Sequence, residues 1–472
     1  MLSHRAQKSL NWLAEEIPSV PVWPKDVLAM NSAENWLCRP DLIPLMKKAI
    51  ADNLEASHLS YSKNLGGPPD LLENAASFFN RFFNPRSPVL PSQIVCGAGA
   101  GSILDCLDFS LSELDEGMLI NAPCWEGFGI ASNLRNDDRL IPVTIPVGLS
   151  SPEQLIKLYL KAMEAATCRI RGIIVCNPMN PSGHIYPTSW LEAILQFCEE
   201  QDIQYISDEI YGMSAWGPQQ TKSAEPFSEK GPIVFESPET KFTSVLSLDI
   251  KSLNVNPARV HVVYALSKDL GSSGLRLVRT SSQAHVILTN LLQGFLVTQK
   301  NPDLRNAMAI LNRYRVSNAT SVIASSLFSD LLVLENILVR NRMLLRNAAE
   351  LIGDFLSFHR FAFYRPVAGV FIWTRLGGET ATEVSDAELM ENFASAKVSV
   401  ASGVPFHARD RGWFRITFAL PREQLLEGLR RIERAMALER AWRPSHDMEV
   451  AGFVSVQRKN SMKPKGAGCV VM

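Results

Sequence analysis

Short apolar runs separated by longer amphipathic stretches recur along most of this chain, and no other feature restricts the fold as much. Residues 94–96, 118–121, 140–145, 173–176, 203–207 and 260–264 are apolar without strict alternation. Such runs read as strands buried on both faces. The stretches between them carry helical spacing. In residues 189–200, Trp190, Leu191, Ile194, Leu195 and Cys198 fall on one face. Strands alternating with helices predict an α/β domain built on a largely parallel sheet. From about Leu345 the pattern changes. A helix over 348–358, strands over 369–373 and 415–418, and a helix over about 422–438 predict a second, smaller α+β domain. The expected division is residues 1–60 and 345–443 in the small domain and 61–344 in the large one, with a flexible tail over 444–472.

The chain's 472 residues are enough for two domains and a large core. A net charge of -1 argues against a nucleic-acid partner. Eight cysteines are scattered without Cys-x-x-Cys spacing, which predicts reduced thiols, no disulfide framework and no metal site. The first residues carry no signal-peptide core and no apolar run is long enough to span a bilayer, so a cytoplasmic location is expected.

Candidate chemistry collects at strand ends, where ligands of α/β folds bind. Lys268 follows the run 260–263, inside the Ser- and Gly-rich stretch from Tyr264 to Arg276. The segment Cys96-Gly-Ala-Gly-Ala-Gly-Ser102 joins a strand to a helix. Backbone N–H groups at such a turn cradle a phosphate, and the same residues also make an ordinary tight turn. Trp125, in Pro123-Cys-Trp-Glu-Gly-Phe128, suits either a core position or a flat lid over an aromatic ligand. Asn177-Pro-Met-Asn-Pro-Ser-Gly183 follows another strand, and Ser207-Asp-Glu-Ile-Tyr211 puts a carboxylate at the end of the next. Arg415, in Gly412-Trp-Phe-Arg-Ile-Thr-Phe418, offers a guanidinium fork for a carboxylate.

In this order the segments resemble those of class I/II aminotransferases that use pyridoxal 5'-phosphate (PLP), most closely the 1-aminocyclopropane-1-carboxylate (ACC) synthase branch. The resemblance spans roughly residues 25–440. It implies fold type I, with a large domain carrying a mostly parallel seven-stranded sheet and a small α+β domain made from both chain ends. It also implies roles. Lys268 holds the cofactor aldehyde and, once released, serves as the base at the substrate α-carbon. Gly99, Ala100, Gly101 and Arg276 bind the phosphate, and Trp125 covers the ring. Asp208 pairs with the ring nitrogen, and Asn180 and Tyr211 reach the phenolic oxygen. Arg415 takes the substrate carboxylate. Tyr61, in His58-Leu-Ser-Tyr, reaches the phosphate of a partner subunit, which implies a homodimer. Met30-Asn-Ser-Ala-Glu-Asn-Trp-Leu37 resembles an ACC synthase signature in which Glu34 faces the substrate side chain or serves as a cap. Glu209 reads as structural.

Three departures stand out. Ala265 replaces a serine that usually donates to the phosphate. The stretch after Tyr61 is longer than in plant ACC synthases. Residues 278–293 separate Gly-Leu-Arg-Leu277 from Gly294-Phe-Leu-Val297, and removing them restores a continuous family pattern. Val278, Gln293 and Leu288-Thr-Asn290 are compatible with intron donor, acceptor and branch-point codons. The segment therefore reads as a retained intron or as a genuine insertion. The chain ends Cys469-Val-Val-Met472 behind Arg458, Lys459, Lys463 and Lys465, a prenylation-type box that would add a membrane contact, or a chance ending.

The functional expectation is a PLP enzyme acting on an α-amino acid or a metabolite derived from one. An ACC synthase-like aminotransferase of fungal secondary metabolism comes first. Elimination chemistry, as in a C–S lyase of epidithiodiketopiperazine pathways or an ACC synthase, is the alternative. A catalytically silent homologue with a binding role is the third reading.

Overall fold

The computed structural model describes residues 2–3, 6–7, 10–11, 26–62, 64–129, 139–146, 148–217, 232–273, 293–377 and 384–444. Arg276, residues 278–292 and Cys469 with residues 445–472 lie outside them.

The apolar runs form one seven-stranded sheet. Its strands are β1 (Ile94–Ala98), β2 (Gly117–Ala122), β3 (Arg139–Thr144), β4 (Ile170–Cys176), β5 (Gln204–Asp208), β6 (Val260–Ala265) and β7 (Gln293–Val297). The spatial order is β1-β7-β6-β5-β4-β2-β3. All neighbours are parallel except β7, which runs antiparallel to both β1 and β6. Side chains alternate between two cores. Val262 and Tyr264 of β6 enter one, and Val263 and Ala265 enter the other. Both faces are covered, which explains why these strands read as continuous apolar runs rather than alternating ones. The helix Thr188–Glu200 buries Trp190, Leu191, Ile194, Leu195 and Cys198 as its spacing predicts, and Phe197 with them.

A separate five-stranded sheet has the order Ala401–Ser402, Trp413–Thr417, Phe371–Arg375, Ala362–Tyr364, Val234–Phe235, so its edge strand comes from the stretch expected in the large domain. The strand Leu28–Ala29 pairs in parallel with Val398–Ser399. The helix expected over 348–358 begins much earlier, as Leu331–Phe358, where the Asp330 carboxylate accepts the Val333 N–H as its cap. The strand expected from Gly369 begins at Phe371, because Gly369 has φ +86 and turns the chain. The last helix ends at Ala435 instead of about 438. Among the described residues no single helix is long and apolar enough to cross a membrane.

Candidate active site

The C-terminal ends of β4, β5 and β6, and the N-terminus of the helix after β1, meet on one side of the sheet. Asp208 is the last residue of β5, between Cys176 of β4 and Val263 of β6. Asn177 follows β4 and donates its N–H to the Asp208 carbonyl at 2.9 Å. Lys268 lies in the helical turn Leu266–Asp269 directly after β6. The Gly99-Ala100-Gly101 backbone opens the helix Gly99–Leu111 directly after β1, with Gly99 at φ +80.

Two glycines shape this rim. A Cβ on Gly294 of β7 would lie 2.4 Å from the Gly99 carbonyl carbon, so β7 can pass beneath the cradle only as glycine. A Cβ on Gly127 would lie 2.2 Å from the Trp125 ring, so the ring's position depends on that glycine too.

The Lys268 turn is fixed from several sides. The carboxylate of Asp269 accepts the Met213 N–H at 2.9 Å and the Tyr264 hydroxyl at 3.2 Å. Asn341 donates its amide to the Asp269 carbonyl at 3.1 Å and accepts one from Asn35 at 2.9 Å. The Lys268 ammonium donates to the Ala33 carbonyl at 2.8 Å.

Arg415 leaves only 3 % of its surface exposed. It donates to the Asn180 side-chain oxygen at 3.1 Å and to the Asn31 carbonyl at 2.6 Å. Its guanidinium lies 4.7 Å from the Phe406 ring centre and 5.2 Å from that of Phe371. Phe371 in turn packs edge-on against Tyr211 at 5.2 Å. The Nε of Arg415 is buried without a hydrogen-bond partner, a donor that remains for an incoming carboxylate. Burial pulls the pKa of Arg415 below the usual guanidinium value, while the charges of Glu126 and Tyr211 act in the opposite sense.

Asp208 is buried at the end of β5, beside the strand that leads into the Lys268 turn. Burial pushes its carboxyl up to about 7, against the opposing pull of the Ile210 N–H and of Lys268. A buried carboxylate so placed is completed by a cationic ring nitrogen. With the glycine cradle, the site's chemistry fits PLP.

The remaining expectations divide. Asn180, Asp208, Tyr211, Lys268 and Arg415 converge through the contacts above, and Trp125 lies beside Phe128, 5.6 Å between ring centres. Glu34 is bound by Arg39 at 2.9 Å, and Arg39 also donates to the Gly271 carbonyl at 3.0 Å. Tyr61 is 87 % exposed, with its ring against Tyr314. Ala265 precedes the Lys268 turn and gives it no side-chain cap. Glu209 accepts the Ser207 hydroxyl at 2.9 Å and the Val245 N–H at 3.0 Å, bracing the β5 end.

Sequence reasoning missed the carbonyls of Asn31 and Ala33, which carry no residue-type signal. It also passed over Glu126, whose signal was a charged residue inside an otherwise apolar turn.

Comparisons with known proteins agree with this geometry. The chain is 40% identical over 457 residues to "Probable aminotransferase gliI" of Aspergillus fumigatus, covering 93% of this chain and 97% of that one. It is 36% identical to "Aminotransferase verI" of Clonostachys rogersoniana, covering 96% and 98%. It is 29% identical to "1-aminocyclopropane-1-carboxylate synthase 7" of Arabidopsis thaliana, covering 76% and 74%. Among solved structures, a double mutant of Thermus thermophilus aspartate aminotransferase superposes with a TM-score of 0.69 at 19% identity, covering 92% and 99%, and so shares the fold. Residues 26–432 match the family described as aminotransferase class I and II. The chain belongs to the PLP-dependent class I and II aminotransferases.

Proposed function

We propose that this protein is an ACC synthase-like aminotransferase that acts at the α-carbon of an amino acid, or of a metabolite derived from one, in fungal secondary metabolism. One observation carries the reading. Lys268 and Arg415 are hydrogen-bonded to the carbonyls of Ala33 and Asn31, two residues apart in one segment. Two residues of extended chain span at most about 7 Å. An α-carboxylate bound at Arg415 therefore leaves its α-carbon within reach of the Lys268 amine.

PLP, when bound, supplies an electron sink for the pair released at the α-carbon. The chain's residues do the rest. Arg415 grips the carboxylate with its fork and orients the substrate. Lys268 accepts the α-proton and returns it. Asp208 keeps the ring nitrogen protonated, and Asn180 and Tyr211 serve the phenolic oxygen. The N–H groups of 99–101 hold the phosphate, joined by Arg276, and Trp125 covers the ring. Glu34, fixed by Arg39, faces the substrate's distal end. Tyr61 completes the site of a second subunit in a homodimer. Residues 278–292 are foreign to this design, whereas Gln293, expected to be part of the same insertion, is the buried first residue of β7 and pairs with Ala98; Cys469 is a prenylation site that adds a peripheral membrane contact. An unmodified C-terminus on native protein, read by mass spectrometry, would remove that last assignment.

The test of the activity is direct. Protein mixed with PLP should show an absorption band at roughly 410–430 nm that Lys268→Ala abolishes. An amino acid should then yield its keto acid stoichiometrically with amination of a second keto acid. Ammonia release without a second amino product would replace transamination by elimination. Folded protein with no band, with or without residues 278–292, would leave the silent-homologue reading.

A further inference from the structure

We infer that Glu126 forms a subsite for a cationic or N–H-donating group on the substrate side chain, and that it excludes acidic side chains. This rests on the aminotransferase reading of the same site and names its substrate class.

Three observations place the residue. The turn that carries it is tied to the Arg415 pocket, because Cys124 donates its N–H to the Phe406 carbonyl at 2.9 Å and the Phe406 ring lies under the Arg415 guanidinium. The Trp125 ring folds back over Gly127, where any Cβ would meet it at 2.2 Å, so the turn on either side of Glu126 is closely packed. Finally, the Oε2 of Glu126 is buried and accepts no hydrogen bond.

A carboxylate only accepts when ionised, and a buried acceptor without a donor is costly. Arg415 does not meet that need directly. Its guanidinium donates to the Asn180 side-chain oxygen and to the Asn31 carbonyl. Yet the Cys124–Phe406 and Phe406–Arg415 contacts bring the two elements together, close enough for the charge of Glu126 to act on Arg415. When a substrate docks, its α-carboxylate adds a second anion beside the same guanidinium. Two carboxylates beside one guanidinium repel each other, and a donor brought by the ligand offsets that repulsion. The substrate must bring that donor on its side chain. Lysine- and ornithine-like side chains, or ones ending in an amide, meet the requirement. A glutamate side chain would set a third carboxylate against Glu126.

The test compares the wild type with Glu126→Gln, which preserves shape and removes the charge. Dissociation constants are read by spectral titration of PLP-loaded protein with ornithine, methionine and glutamate, and by calorimetry with maleate, an unreactive dicarboxylate. The expected result is a crossover. Glu126→Gln weakens ornithine about tenfold and tightens glutamate and maleate about tenfold, with methionine changed least. Glu126→Asp, which keeps the charge, retains the wild-type order, and melting temperatures verify folding of both variants. Equal changes for all ligands, or none, overturn the assignment while the cofactor band leaves the aminotransferase reading standing. A wild type with no band sinks both.

Discussion

Replacing Gly294 with alanine should move the phosphate cradle by a distance readable from the structure. Gly294 is held in the middle of the sheet, opposite Gly97 of β1 and Ala265 of β6. An added Cβ would approach the Gly99 carbonyl carbon to 2.4 Å, its oxygen to 2.5 Å and its Cα to 2.9 Å. Ordinary contact begins at 3.4 Å, so the helix start must retreat by 3.4 − 2.4 = 1.0 Å. The strand cannot yield, being paired on both edges, and the clashing atoms are backbone. The overpacking should cost about 1–3 kcal/mol of stability. Losing one charge-assisted N–H bond to the phosphate, worth about 1.5–3 kcal/mol, should weaken PLP about tenfold or more. Gly353→Ala is the matched control. Its Cβ would meet only the Phe363 ring at 4.0 Å, inside the helix Leu331–Phe358. It should stabilise the protein by about 0.5–1 kcal/mol. Urea unfolding gives the first quantity and absorbance titration with PLP the second. A Gly294→Ala protein with wild-type affinity and stability would refute the claim that β7 and the cradle are in backbone contact.

Gly127→Ala should displace the Trp125 ring, because the added Cβ would sit 2.2 Å from it. The ring is half-buried and can swing outward, so cofactor affinity should fall by about tenfold while stability changes little; unaltered PLP quenching of tryptophan fluorescence would contradict this. The pH dependence of stability is set in part by Asp208, Glu209 and Asp269, each pushed up to about 7 by burial. Their unfolded-state values lie near about 4, so the folded chain holds more protons between about pH 4 and 7. Their contribution therefore favours the cofactor-free fold at low pH and is lost as pH rises through that window. PLP supplies a cation to Asp208, so the melting-temperature gap between loaded and cofactor-free protein should widen from pH 5 to 8. A constant gap would argue against the Asp208 pairing. Deleting residues 278–292, which keeps Gln293 paired with Ala98 at the start of β7, should leave a folded protein, since Ala265 and Gly294 are already paired across β6 and β7. It should bind PLP at least as tightly, and loss of folding would show that the segment belongs to the fold.

Much of this architecture is legible in the sequence because the central strands are buried on both faces. Their apolar runs need no partner to be recognised, and Asp208 and Lys268 stand out as charges where those runs end. The strand Val234–Phe235 is two residues long and takes its partner, Ala362–Tyr364, from far along the chain, so no local pattern announces it. The helix Leu331–Phe358 is longer than expected because exposed apolar residues, Leu332, Val333, Val339 and Met343, blur the buried spacing of Leu334, Ile337, Leu338 and Asn341. Asn31 and Ala33 act through carbonyls that every residue owns, so only the folded N-terminal segment reveals them. Glu34 illustrates the reverse case. Its motif marks it for a substrate, yet its charge is already engaged by Arg39, five residues on.

Borohydride reduction of the PLP-treated protein, followed by peptide mapping, tests the central claim most directly. The account predicts a pyridoxyl group on Lys268 and on no other lysine, and its loss from a folded Lys268→Ala protein. A label elsewhere, or none on folded protein that has been given the cofactor, would contradict it.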